Sequence, residues 1–175
     1  MANPFEYVAL RTMRLLRRLH LGRLAWMGTS EKMFKDYFKG FEKVEAVKAI
    51  FGDKTEEVLR TLKVEFIWFG YMGVDNTDGH LFVNGKYLNG GDKTDIYLDV
   101  VHELCHVKQW MDGRELFDER YDYVDRPTEI EAYRHTIQEA KRIGLSHDRI
   151  LQYLKTEWMT DEDLYKLVKN MNMDF

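Results

Sequence analysis

The segment His102-Glu103-Leu104-Cys105-His106 constrains the fold of this chain more than any other part of its sequence. Val100, Val101 and Val107 surround it with apolar side chains, which is typical of a largely buried helix. In a helix, residues four positions apart lie on the same face, so both imidazoles can reach one ion. Buried polar groups that lack partners cost kilocalories of stability. The segment therefore predicts a buried metal-binding helix rather than two surface histidines beside a glutamate.

The residue types of this segment predict zinc and hydrolysis. His102 and His106 suit Zn²⁺ as neutral imidazole ligands. Glu103 is rotated away from that face, so it can accept a proton from water on the ion without coordinating the ion, as a general base requires. This is the His-Glu-x-x-His pattern of the zincins. Gln109 and Asp112 stand where the metzincin continuation requires glycine and histidine, which excludes that class.

A catalytic zinc also needs a third protein ligand and an open position for water. The segment Thr128–Tyr133, predicted to lie on a separate helix, supplies a candidate. Glu129 and Ala132 are three residues apart and share a face, and the small alanine lets this helix approach the histidine helix closely. Glu129 is the predicted ligand. Glu131 is the reserve ligand, because two neighbouring glutamates leave the register open.

The stretches His102–Gln109 and Arg126–Tyr133 together resemble the gluzincins, zinc peptidases whose third ligand is a glutamate on a downstream helix. The resemblance spans about Val64 to Ile143, is specific at the two short motifs, and in its compact size is similar to the minigluzincins. It implies a zincin-like fold, Zn²⁺ as cofactor, a peptide or unfolded protein as substrate, and Glu129 as ligand. Tyr133 departs from the pattern, since many gluzincins carry aspartate there, so the groups that orient the ligands must differ.

Caps, apolar periodicity and turn residues predict a helix-dominated α+β domain with a small antiparallel sheet before the motif helix. One domain is expected over 1–175, with N-terminal helices over 1–63, a catalytic core over 64–143 and C-terminal helices over 144–175. Asn84-Gly85 predicts a hairpin turn between two strands. The predicted helices run from Asn3-Pro4 to about Met27, from Ser30 to Gly40, from Asp53, from Asp92 or Thr94 to about Met111, from Thr128 to Ile143, and over Asp148–Trp158 and Asp161–Met171; the predicted strands are Val64–Phe69, His80–Val83 and Lys86–Leu88.

Composition bears on partners and compartment. The net charge of −4, with 32% of residues charged, gives no reason to expect nucleic acid as a partner. No apolar run approaches the ~20 residues that span a bilayer, and no secretory pattern is present. With a single cysteine, a reducing, cytoplasmic location is predicted. The basic stretch Arg11–Arg23 is either a packed helix with a solvated face or a helix that binds a membrane surface or an anionic partner. The oligomeric state stays open.

Further residues carry weaker predictions. The possible donors to an oxyanion are Tyr121, Tyr123, Tyr133 and His135, each with a structural alternative. The hairpin around His80–Leu88 either binds peptide along its edge or is an ordinary hairpin. Cys105 is expected in the core, and His20, His80 and His147 are expected to be surface or packed histidines.

Three alternatives to an active peptidase remain. The chain could be a catalytically silent or latent zinc-binding module with a regulatory or structural role. It could be a DNA-associated protease of the SprT kind with His135 as the third ligand, although the net acidity and the lack of a cysteine ribbon argue against this. It could also inhibit itself, with the C-terminal residues Asn172–Phe175 covering the metal.

Overall fold

The computed structural model describes residues 32–68 and 70–172. The predicted helix from Asn3-Pro4 to Met27, the Ser30 cap, His20 and residues 173–175 of the C-terminal tail lie outside these ranges. The strands are β1 (Lys32–Met33), β2 (Lys63–Ile67), β3 (Met72–Val74) and β4 (Leu81–Asn84). The helices are α1 (Phe34–Tyr37), α2 (Glu45–Phe51), α3 (Thr55–Thr61), α4 (Gly85–Gly90), α5 (Lys93–Met111), α6 (Pro127–Arg142), α7 (His147–Leu154) and α8 (Asp161–Asn170), with short 3₁₀ segments at Phe41–Lys43, Gly52–Lys54 and Tyr123–Asp125.

The four strands form one mixed sheet in the order β1-β2-β4-β3. β1 pairs with β2, and β3 with β4, in antiparallel fashion, whereas β2 and β4 run parallel with Val64 opposite Leu81. The helix-dominated α+β class is confirmed. The predicted antiparallel sheet is wrong in one of its pairings, because β4 lies between β2 and β3 and runs parallel to β2.

The predicted hairpin at Asn84-Gly85 is also wrong. Asn84 ends β4 and caps α4, with its side-chain oxygen accepting hydrogen bonds from the backbone N–H groups of Lys86 (2.8 Å) and Tyr87 (3.5 Å). Its Nδ2 donates to the carbonyl of Gly70 at 2.6 Å. Asparagine serves turns and helix N-caps alike, and here the cap prevails, so the segment predicted as a third strand, Lys86–Leu88, is helical.

Most of the other predictions about where helices begin and end are confirmed, and two are wrong. Asp92 caps α5, and Ser146 and Thr160 cap α7 and α8, as predicted. The predicted stops at Gly113 and Gly144 are confirmed, with φ values of +73° and +84° that other residues rarely adopt. Two predictions fail: α7 ends at Leu154 rather than Trp158, and α3 begins at Thr55 without a cap from Asp53, which lies in a 3₁₀ segment.

Two apolar clusters form the core and meet at the α5–α6 pair. One cluster packs the sheet and α2 against one face of α5, and it includes Leu104, Cys105 and Ala132. The other packs α6 against α7 and α8 around Ile137 and Leu154. Because both clusters fix α5 and α6, side chains between these two helices are held on rigid elements. None of the helices in the described part of the chain has the length and apolar character needed to cross a bilayer.

Candidate metal centre

His102, His106 and Glu129 converge between α5 and α6. The Nε2 atoms of the two histidines are 3.0 Å apart, and the Oε2 atom of Glu129 lies 3.3 Å from that of His102 and 3.4 Å from that of His106. The three residues are 6%, 7% and 4% exposed. Two buried imidazole nitrogens this close together, both facing a carboxylate, need a proton or a cation between them.

The three atoms fit a zinc ion. Tetrahedral ligands at 2.0–2.1 Å from zinc are separated from one another by about 3.3–3.4 Å, close to the three distances observed. Two imidazoles and one carboxylate are also a ligand set of catalytic zinc sites, in which a fourth position stays open. The residues present therefore suit the ion that the sequence predicts.

Glu129 is oriented by a cation on its far side. While Oε2 faces the histidines, Oε1 lies 3.6 Å from the Nη1 atom of Arg126, which is three residues earlier and largely buried. Burial raises the pKa of Glu129, but the neighbouring histidines outweigh burial and hold that pKa far below its usual value. Glu129 is therefore an ionised carboxylate, the form that binds a metal.

Gln109 fixes the ring of His106. Its Oε1 accepts a hydrogen bond from the Nδ1 atom of His106 at 2.8 Å, while its Nε2 donates to the carbonyl of Thr128 and to Glu131, both at 2.9 Å. Because an amide oxygen can only accept, the hydrogen of a neutral His106 ring lies on Nδ1, and the lone pair of Nε2 faces Glu129. A metal-binding histidine is commonly oriented in this way by a hydrogen bond to its other nitrogen.

His102 is held differently. Its Nδ1 atom is buried without a hydrogen-bond partner in the described part of the chain, and the ring of Tyr133 packs against it edge-on at 4.5 Å between centroids. Asp99 lies one turn earlier on α5, but its carboxylate accepts hydrogen bonds from the hydroxyls of Tyr87 and Tyr153. An aromatic contact thus replaces the usual second hydrogen bond of this histidine.

Carboxylates control the charge of the site. Burial lowers the pKa of His106, but the charges of Glu129 and Glu103 outweigh burial and raise it to about 9. Without a metal, the histidine pair therefore carries a proton near neutral pH. A metal cation at the same point would replace that proton and balance the charge of the same carboxylates. Glu103 is half-buried, and its burial raises the pKa of its carboxyl group.

Two tyrosines lie beside the site. The hydroxyls of Tyr123 and Tyr133 are 3.0 Å apart, and burial together with the charge of Glu129 raises the pKa of both. Both hydroxyls are therefore protonated and can donate hydrogen bonds. Of the other predicted donors, Tyr121 is 42% exposed, and His135 groups with a different set of side chains.

The remaining predicted residues lie apart from the group formed by His102, His106 and Glu129. Glu131 directs its Oε2 to Arg114 and Gln109 rather than to the paired imidazoles. His135, the alternative third ligand, lies with Glu131 and Cys105. Cys105 is buried in the core, as predicted, and burial raises the pKa of its thiol to about 12.

The other described histidines have separate surroundings. The two ring nitrogens of His80 form hydrogen bonds with Glu65 and Asp78. His147 is exposed at the start of α7. The predicted peptide-binding edge around His80–Leu88 is wrong as an edge, because β4 is paired on both sides. Within the described ranges, β3 and β1 are the outer strands.

Sequence reasoning missed the orienting roles of Gln109 and Arg126. Each stands three residues from a predicted ligand, at the helical spacing that brings side chains together. That spacing was a usable signal for Gln109 after His106. For Arg126 it was weaker, since this residue precedes α6 as its N-cap.

No family model, no curated protein and no solved structure matches this chain. The gluzincin resemblance therefore stays a prediction based on two short motifs. What the fold adds is that the side chains of those two motifs meet at one point between α5 and α6.

Proposed function

We propose that this protein is a zinc-dependent peptidase with His102, His106 and Glu129 as the zinc ligands and Glu103 as the general base. One observation carries the proposal: three ligand atoms from two helices converge at 3.0–3.4 Å from one another. Glu103 lies next to the first ligand on the same helix. The gluzincin resemblance of the two motifs supplies the reaction class.

The side chains divide the chemistry between them. Zinc, when bound, supplies Lewis-acid chemistry that acidifies water and polarises a carbonyl group. Glu103 accepts the proton of the attacking water and passes it to the leaving amine. Gln109 fixes the ring of His106 so that its Nε2 atom faces His102 and Glu129, and the hydrogen-bonded pair of Tyr123 and Tyr133 hydroxyls is the proposed donor to developing negative charge.

The proposed substrate is a peptide or an unfolded stretch of protein. An extended peptide can add to the edge of a sheet through backbone hydrogen bonds, with little demand on its sequence. β3 packs against α5 and is an outer strand among the described residues, which makes it the edge nearest the metal-binding helix.

The decisive variant is Glu103→Gln, which keeps the shape of the side chain and removes its basicity. Cleavage of a fluorophore-labelled, reduced and alkylated protein is expected to fall by about 10²–10⁴-fold. Zinc content, measured on the same samples, is expected to stay at the wild-type level. Glu56→Gln, an exposed glutamate on α3, is the matched control and should cleave like wild type. Wild-type cleavage rates in Glu103→Gln would refute the general-base assignment.

A second candidate is a catalytically silent or latent zinc-binding module. The burial of all three ligand residues, at 7% exposure or less, favours it, because a substrate must reach the ion. For such a module, chelation lowers the melting temperature while wild type cleaves no member of a substrate panel. Four protein ligands on the bound metal would also identify it, since an open position is required for catalysis.

A further inference from the structure

A second group of potential ligands borders the metal centre. Cys105, Glu131 and His135 each offer one ligand atom, and these atoms all lie within 4.8 Å of one another. We propose that they form a second metal site, which binds a soft divalent ion of the zinc and cadmium class. This proposal goes beyond the peptidase proposal and does not depend on it.

Two rigid helices supply the ligands, as they do in the first centre. Cys105 stands on α5 directly before His106 but on a neighbouring face. Glu131 and His135 are four residues apart on α6 and therefore share a face of that helix. The same pair of helices thus presents two distinct groups of donors, with no ligand in common.

Two of the three side chains in this group, His135 and Cys105, have few hydrogen bonds. The Nδ1 atom of His135 is buried and has no hydrogen-bond partner in the described part of the chain. Cys105 is 2% exposed, and its sulfur accepts one long hydrogen bond, from Gln109 Nε2 at 3.6 Å. A buried ring nitrogen without a partner is costly unless something binds it. Glu131 and His135 are half-buried, which gives an ion a route to the site.

Glu131 already has a cationic partner, and a metal ion must replace it. Arg114 forms an ion pair with Glu131 in which the two side chains are 37% and 42% exposed. Ion pairs this exposed contribute little to stability, and a long arginine side chain can turn to solvent. A divalent cation held also by sulfur and nitrogen is the stronger partner for the carboxylate.

The ligand types determine which ion is bound. A sulfur, an imidazole and a carboxylate favour zinc or cadmium and disfavour magnesium and calcium, which prefer oxygen ligands. Gln109 connects the two groups, since its Nε2 contacts Glu131 and Cys105 while its Oε1 holds His106. Metal binding at the second site withdraws two of these contacts, so it is expected to alter the affinity of the first.

The test uses Cd²⁺ as the probe on full-length protein loaded with one equivalent of zinc. Cys105 is the single cysteine of the chain, so ultraviolet charge-transfer absorption of a cadmium–thiolate bond reports this residue alone. We expect the band to grow to a stoichiometry of one cadmium per chain. His135→Ala is expected to weaken cadmium binding by about tenfold or more, since even indirect supports of a metal site are worth that much. His147→Ala, on the exposed start of α7, is the matched control and should bind like wild type.

A second variant separates the two sites. Glu129→Gln removes a charged ligand of the first centre while nearly preserving its shape, and the cadmium–thiolate band is expected to persist. Near-ultraviolet circular dichroism checks that each variant is folded, and His135→Gln replaces His135→Ala if the alanine variant is not. The proposal is overturned if no cadmium–thiolate band appears or if neither His135 variant weakens cadmium binding. It is also overturned if Glu129→Gln abolishes the band, because Cys105 would then be a ligand of the first centre.

Discussion

Ala132→Leu tests whether close approach of α5 and α6 builds the metal centre. Ala132 is 0% exposed, belongs to the apolar cluster that includes Leu104 and Cys105, and lies one turn from Glu129 on α6. A leucine adds three carbon atoms at this fully buried position. The added side chain must therefore push α6 away from α5, and Glu129 moves with it.

Ala132→Leu is expected to reduce both the stability of the fold and the affinity for zinc. Overpacking a well-filled interior costs about 1–3 kcal/mol, which for a chain of this length lowers the melting temperature by about 2–4 °C per kcal/mol. Metal–ligand distances tolerate deviations of only about 0.2 Å, so a helix shift of about 0.5 Å removes Glu129 from an ion held by both histidines. Zinc affinity is then expected to fall at least tenfold, or by about 1.4 kcal/mol.

The assay pairs thermal unfolding of metal-free protein with competitive zinc titration against a chromophoric chelator. Ala140→Leu is the matched control, because Ala140 is also 0% exposed and on α6 but packs in the cluster with Ile137 and Leu154. Both variants should be destabilised, and only Ala132→Leu should lose zinc affinity. Equal zinc affinity in the two variants, at similar losses of stability, would refute the idea that helix approach positions Glu129.

Two further predictions concern groups that surround the site or lie farther from it. Gln109→Ala frees the Nδ1 atom of His106 and is expected to weaken zinc binding by about 10–100-fold in the same titration, whereas an unchanged affinity would show that Gln109 does not orient the ligand. For His80, burial lowers the pKa, but hydrogen bonds to Glu65 and Asp78 outweigh burial and raise it above 6.5. Its contribution to stability is therefore full below about pH 6.5 and is lost as pH rises through the raised folded-state pKa. Urea unfolding at about pH 6 and pH 8 should show a larger loss of stability with pH in wild type than in His80→Gln, and equal losses would contradict this assignment.

Local signals in the sequence predicted most of the helical framework. Asp92, Ser146 and Thr160 were recognisable as caps because a short polar side chain before an apolar repeat satisfies the first free N–H groups of a helix. The spacing of His102 and His106, and the pairing of Glu129 with a small Ala132, depend on helix geometry alone. These features were predictable because each is decided within one or two turns of chain.

Features that depend on distant pairing were not predictable in this way. Asn84 suits a hairpin turn and a helix cap equally, and its hydrogen bond to the carbonyl of Gly70 is made by a segment 14 residues away. The parallel register of Val64 with Leu81 likewise depends on β3 occupying the outer position. The second ligand group at Cys105 was missed because it combines faces of two helices whose relative rotation the sequence does not reveal.

Anomalous diffraction at the zinc absorption edge, from crystals of protein loaded with one equivalent of zinc, tests the metal centre most directly. We predict one strong peak about 2.0–2.1 Å from the Nε2 atoms of His102 and His106 and about 2.0–2.2 Å from a carboxylate oxygen of Glu129, with one direction open to solvent. A zinc peak away from these three residues, or a Glu129 carboxylate that does not reach the ion, would contradict the proposed centre.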